Sequence, residues 1–155
     1  MASLEDQPIR RLPTGSGEFD RVLGGGLVPG SLVLVGGDPG IGKSTLLLQS
    51  ASTMAAQTSV LYVSAEESAQ QVKLRWQRLA GGPSDLQLLA ETDLELVLEE
   101  LEALRPAVAI IDSIQALHDA NLPSAPGSVV RCGNVPPPCN GWPNARPQPC
   151  CWWAM

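Results

Sequence analysis

No cysteine precedes Cys132, and no Asp or Glu follows Asp119. The chain holds a single Phe (Phe19), a single Tyr (Tyr62) and a single His (His118). A cysteine-free first stretch excludes a disulfide scaffold and an N-terminal cysteine-ligated zinc module. No apolar run reaches the roughly 20 residues of a membrane span, and no basic-then-apolar leader opens the chain, so a soluble cytoplasmic protein with no membrane partner is expected. The formal net charge of −6 argues against a stand-alone nucleic-acid binder, which carries a basic face. With 155 residues there is enough chain to bury one core.

What is present divides into two stretches. Up to Val130 there are 8 Lys and Arg against 16 Asp and Glu. After it come all four cysteines (Cys132, Cys139, Cys150 and Cys151), Trp142, Trp152 and Trp153, and the run Pro136-Pro137-Pro138. Residues 1–12 read as a lead-in, 13–130 as a partial α/β domain, and 131–155 as a disordered tail without strand or helix. The cysteines of that tail have no C-x₂-C spacing of the zinc kind, and a disulfide is not expected either.

Within 13–130, strands alternate with helices. Ser31–Val35 is a short apolar run suited to a buried parallel strand, and a helix is expected from about Lys43 to Ala56. Ser59–Val63 is the second strand, followed by a helix from Ser68 to Ala80 closed by Gly81-Gly82. Leu86–Leu89 is a weaker strand. Thr92 and Glu95 make a capping-box pattern for a helix with Leu94, Val97, Leu98, Leu101 and Leu104 on one face, stopped by Pro106. Ala107–Ile111 is the fourth strand and ends in Asp112. This alternation predicts a mainly parallel sheet.

Gly37-Asp38-Pro39-Gly40-Ile41-Gly42-Lys43-Ser44 fits G-x-x-x-x-G-K-[ST] at every fixed position, with a strand before it and a helix after. A glycine-rich backbone can wrap phosphate oxygens, and the helix N-terminus adds a favourable dipole. The expected phosphate cradle comprises Gly37, Asp38, Pro39, Gly40, Ile41, Gly42, Lys43, Ser44 and Thr45. Lys43 is expected on the β- and γ-phosphates, and the Ser44 hydroxyl on Mg²⁺. Asp112, ending an apolar strand, is the second expected Mg²⁺ partner. Glu66 and Glu67 follow the second strand; either can face a water at the γ-phosphate, or both can be helix-start acids favoured by the dipole. His118 is expected to be an exposed helix-end residue.

Leu12-Pro13-Thr14-Gly15, Glu18–Gly26, Pro29-Gly30-Ser31 and the phosphate loop together resemble the RadA-like (Sms) family of bacterial DNA-repair ATPases, paralogues of RecA. Leu61–Ser68, Ile110–Gln115 and Pro126–Val129 continue the likeness in order, from Ile9 to about Val130. The resemblance implies a RecA-like P-loop core, incomplete here on its C-terminal side, and Glu66 as the residue that activates water. It also implies ATP and Mg²⁺ as ligands, single-stranded or branched DNA and the RecA recombinase as partners, and a homo-hexameric ring in which a neighbour supplies an Arg or Lys. A KaiC-like ATPase and a non-hydrolysing nucleotide-binding fragment are the alternatives; Glu66-Glu67-Ser68 and Leu23–Gly26 favour the RadA-like reading. The chain departs from the family pattern in lacking the N-terminal zinc module, the Lys-Asn-Arg-Phe-Gly motif, the second half of the core and the Lon-protease-like C-terminal domain.

The tail reads as the family's own coding sequence in a displaced frame, each new triplet starting on a visible codon's third base; a genuine Pro-rich linker or interaction tail is the alternative. Arg131 to Arg146 can then spell VRECTAALQRLAKR, and Pro149 to Met155 can spell LLLVGH. These resemble the family's next helix and core strand. Losing that strand is expected to leave part of the sheet without a neighbour and the fold marginal.

Overall fold

The computed structural model describes residues 10–80, 86–118 and 150–154. A short helix that the sequence pattern did not anticipate, α1 (Gly17–Val22), comes first, and four strands and three helices then follow the expected order: β1 (Leu32–Val35), α2 (Lys43–Ala55), β2 (Val60–Ser64), α3 (Ala69–Ala80), β3 (Gln87–Ala90), α4 (Leu94–Leu104) and β4 (Val108–Asp112). A short 3-10 helix covers Ile114–Ala116, and a further strand, β5, spans Cys150–Ala154. The five strands form one sheet in the order β1-β5-β4-β2-β3, every pairing parallel. The α/β class and the parallel sheet are therefore as the sequence predicts.

Two interior strands, β2 and β4, are buried on both faces because their sequences are continuously apolar. Val60–Ser64 is buried throughout, and Val108–Ile111 likewise. Val60, Tyr62, Val108 and Ile110 face α2 and α3, packing against Leu47, Leu48, Ala51, Met54 and Val72. Leu61, Val63, Ala109 and Ile111 face the other way, against Leu94, Val97 and Leu101 of α4. The side each helix takes follows from crossover handedness. The chain steps one way along the sheet from β1 to β2 to β3, then reverses to β4, and a right-handed connection then requires the opposite face. Trp76 Nε1–H donates to Ser52 Oγ at 3.1 Å, giving the polar end of a large apolar side chain its partner between α3 and α2.

Three expectations need correction. The tail was expected to contribute no strand, yet Cys150–Ala154 pairs with β1 on one side and β4 on the other. Its local sequence is five apolar residues without proline, and that local run, rather than the proline content of residues 123–149, decides whether a ladder can form. β5 lies between β1 and β4, and the sheet remains incomplete, as expected, ending at β1, where Leu32 and Leu34 are 52% and 57% exposed. Residues 119–149, including Cys132, Cys139, Trp142 and the Pro126–Val129 string, lie outside the described residues, as does the expected Gly81-Gly82 stop.

The second correction is at the start of α4. Its N-cap is Asp93, not Thr92: Asp93 Oδ1 accepts the Glu95 N–H at 3.0 Å. The helix ends where Arg105 turns left-handed (φ 44°), just before Pro106 excludes a helical residue ahead of it. Third, His118 is half-buried and not at an exposed helix end. Its N–H donates to the Thr92 carbonyl at 2.8 Å and its carbonyl accepts the Leu94 N–H at 2.9 Å, closing a bridge over the start of α4.

The segment before β1 forms a clasp on α2. Leu12 and Leu27 exchange both backbone hydrogen bonds at 2.8 Å, and Asp20 Oδ1 accepts the buried Thr14 N–H at 2.8 Å. Gly26 is required there: it holds φ 121°, and a Cβ would lie 2.6 Å from the Leu12 carbonyl oxygen.

Candidate nucleotide site

The site lies at the carboxyl edge of the sheet, where the loop after β1 and the ends of β2 and β4 converge. This is the edge at which strand order reverses, the usual location for ligands in open parallel sheets. A cavity of about 390 Å³ opens there, within the roughly 300–1,000 Å³ of small-molecule sites. Its walls include Pro39, Gly40, Gly42, Lys43, Ser44, Thr45, Glu66 and Asp112. Gly37, Asp38 and Ile41, expected in the cradle, are not among the walls. Ile41 is 70% exposed, and its N–H is engaged by the Asp38 carbonyl at 3.3 Å.

Each wall residue is placed by local chemistry. Gly42 is the N-cap of α2 with φ 102°, a left-handed conformation that lets the loop turn sharply into the helix. Lys43 and Ser44 thus stand in the first turn of α2, beside N–H groups that have no helical partner. Lys43 Nζ donates to the carbonyls of Gly37 at 2.7 Å and Asp38 at 3.0 Å, so the ammonium is folded onto its own loop. Asp112 closes β4 opposite Ser64 of β2. Its Oδ2 accepts a hydrogen bond from the Tyr62 hydroxyl at 2.6 Å. Burial of Tyr62, and then the adjacent Asp112 charge, push that phenol far above its usual range, so it stays a donor.

The two glutamates after β2 do different things. Ser64 Oγ donates to the Glu67 carbonyl at 2.8 Å and accepts its N–H at 3.2 Å, a hydroxyl-stapled turn that fixes the direction of both side chains. Glu66 is exposed to the cavity, and its Oε1 accepts the hydroxyl of buried Ser113. Glu67 is half-buried and ion-paired with Arg75 of α3. The Asp112–Ser113 peptide, which delivers Ser113, is cis.

Four residues of this arrangement escape sequence reasoning. Arg75, Ser113 and Gln115 line the cavity, and Tyr62 sits behind Asp112. Tyr62 carried a signal, since a phenol inside a buried apolar strand needs a partner for its hydroxyl. Arg75 carried none, because its approach depends on how α3 packs. As to ligands, the Ser44 hydroxyl and the Asp112 carboxylate on one cavity are hard oxygen donors of the kind Mg²⁺ takes when most of its shell comes from water and phosphate.

Comparison with known proteins agrees with this geometry. Residues 3–134 match the profile of a family described as an AAA domain. Among curated relatives, the DNA repair protein RadA of Bacillus subtilis is 51% identical over 83% of this chain and 28% of its own length. RadA of Synechocystis is 56% identical over 77% of this chain and 27% of its own. RadA of Streptococcus pneumoniae is 51% identical over 87% and 32% respectively. The chain thus spans about a third or less of the length of these relatives. Among solved structures, a KaiC-like protein from Pyrococcus horikoshii superposes with a TM-score of 0.56 at 23% identity, over 70% of this chain and 56% of that one, a likeness of fold. Among the described residues, no helix is long and apolar enough to cross a membrane. With the profile running over most of its length, the chain belongs to the AAA-domain family and is similar within it to the bacterial DNA repair protein RadA.

Proposed function

We propose that the chain carries one half of an ATP·Mg²⁺ site from a RadA-like DNA-repair ATPase, and that it binds nucleotide without efficient turnover. The observation that carries this reading is the convergence of Lys43, Ser44, Glu66 and Asp112, from three separate segments, on one cavity. Lys43 leaves the Gly37 and Asp38 carbonyls and takes phosphate oxygens in their place, exchanging neutral acceptors for charged ones. Thr45, Gly40 and Gly42 form the cradle. The Ser44 hydroxyl and Asp112 hold the metal, with Asp112 oriented by Tyr62. Bound Mg²⁺ supplies neutralisation of charge on the phosphate oxygens. Glu66, steadied by Ser113, orients and deprotonates the attacking water.

In the intact family this chemistry drives processing of branched recombination intermediates on single-stranded DNA in the cytoplasm, by hexameric rings acting with RecA. Among the described residues we assign none to the cation that a neighbouring subunit supplies to such a site, which is why hydrolysis is expected to be low. The KaiC-like alternative has only a likeness of fold behind it. The reading also includes the displaced frame for residues 131–155, supported by the resemblance of VRECTAALQRLAKR and LLLVGH to the family's next helix and strand.

The test is equilibrium ATP binding with and without Mg²⁺ on the chain and on Lys43→Ala. Losing the ammonium should weaken binding by at least tenfold, about 1.4 kcal/mol. Equal binding by the two proteins would remove the phosphate loop from the account.

A further inference from the structure

The Arg75–Glu67 pair is not used by the scheme above, although both residues line the same cavity as Lys43, Ser44 and Glu66. Arg75 Nη2 donates to Glu67 Oε1, and the two side chains are 27% and 33% exposed. The other oxygen, Glu67 Oε2, is buried and has no hydrogen-bond partner. A carboxylate satisfied on one oxygen and stranded on the other is a poorly completed ion pair, because the desolvation cost of the second oxygen is not offset. The guanidinium, for its part, is a fork of five donors, of which the described contacts use one nitrogen.

Charge decides which partner Arg75 prefers once the cavity holds a polyphosphate. Lys43 enters the cavity from the first turn of α2 and Arg75 from α3, and Glu66, Glu67 and Asp112 line that same cavity. On the ATP reading, this shared cavity takes the terminal phosphate. A terminal phosphate carries more charge than a carboxylate and accepts a guanidinium bidentately. Releasing Glu67 at the same time frees its stranded oxygen to move towards water.

Building on the ATP reading, we propose that Arg75 is a phosphate-contacting residue supplied by the same chain and held in reserve by Glu67, so that the pair distinguishes a nucleoside triphosphate from a diphosphate. Without a terminal phosphate, Arg75 stays on Glu67. With one, it crosses to the phosphate, and the turn stapled by Ser64 loses its tie to α3.

The experiment is a pair of dissociation constants, for ATP and for ADP with Mg²⁺, on the full chain and on Arg75→Ala, Arg75→Lys and Glu67→Gln. Arg75→Ala should weaken ATP about tenfold while ADP stays within about twofold. Glu67→Gln, which removes the competing charge, should raise the preference for ATP by about threefold. Arg75→Lys keeps the charge and guards against a folding defect; it should fall between wild type and Arg75→Ala. Equal weakening of both nucleotides, or an unchanged ratio in all three variants, would overturn the proposal while leaving the nucleotide site intact. A wild-type chain that binds neither nucleotide would sink that site and this proposal together.

Discussion

Tyr62 is buried to 1% exposure in the middle of β2, and its one polar atom is spent on Asp112. That hydroxyl ties the core to Asp112, the residue proposed to hold Mg²⁺, because the bond engages one carboxylate oxygen, Oδ2. Tyr62→Phe keeps the ring and deletes the bond. Stability should fall by about 1–2 kcal/mol, as expected for a hydrogen bond to a charged group, and the Mg²⁺ concentration needed for half-maximal ATP binding should rise. Chemical denaturation and a Mg²⁺ titration check the two effects. The placement of Lys43, Ser44 and Asp112 on one cavity was legible in the sequence because each position is marked within a few residues of chain: a glycine loop into a helix, or an apolar strand ending in an acid. Ser113 and Arg75 were not, because their partners lie 47 and 8 residues away and depend on strand register and helix packing.

At the scale of elements, the strands most confidently legible were those buried on both faces, β2 and β4, whose apolar runs admit little else. The sequence pattern placed the start of α4 a residue early, because a Thr three residues before a Glu looks like a cap. The decisive groups are instead Asp93 and Glu91: Glu91 Oε1 accepts the N–H groups of Thr92 at 2.7 Å and Asp93 at 2.9 Å. Those backbone donors hold the Glu91 carboxyl below its ordinary range. A carboxylate with a depressed folded value adds stability that is complete above the ordinary Glu value and disappears as pH falls through the folded one. Glu91→Gln should therefore lower the melting temperature at neutral pH and leave it little changed at the acid end, flattening the acid limb; thermal melts from neutral to acid pH measure it. β5 has a harsher test. As a strand paired on both sides, it cannot accept a proline without losing ladder bonds, so Trp152→Pro should abolish the cooperative melt. An unchanged melt would return Cys150–Ala154 to the unstructured tail that composition suggested.

At the scale of the whole molecule, strands of the acidic first stretch and the segment Cys150–Ala154 are joined in one sheet. The segment whose displaced reading is LLLVGH occupies the slot between β1 and β4. Chemistry makes that substitution tolerable: apolar Cys and Trp replace apolar Leu and Val, and parallel pairing asks for backbone groups and an apolar side chain, not for particular residues. The coding DNA across Val130 checks the frame, which should spell VRECTAALQRLAKR and LLLVGH one displacement away; DNA that spells neither removes this origin. The central claim, a nucleotide half-site that binds ATP but lacks the cation of a neighbouring subunit, is tested most directly by phosphate release. It should be measured with and without single-stranded DNA on a preparation whose Lys43-dependent ATP binding has been established. The account predicts binding with turnover near background and no response to DNA; turnover that DNA stimulates and Lys43→Ala abolishes would contradict it.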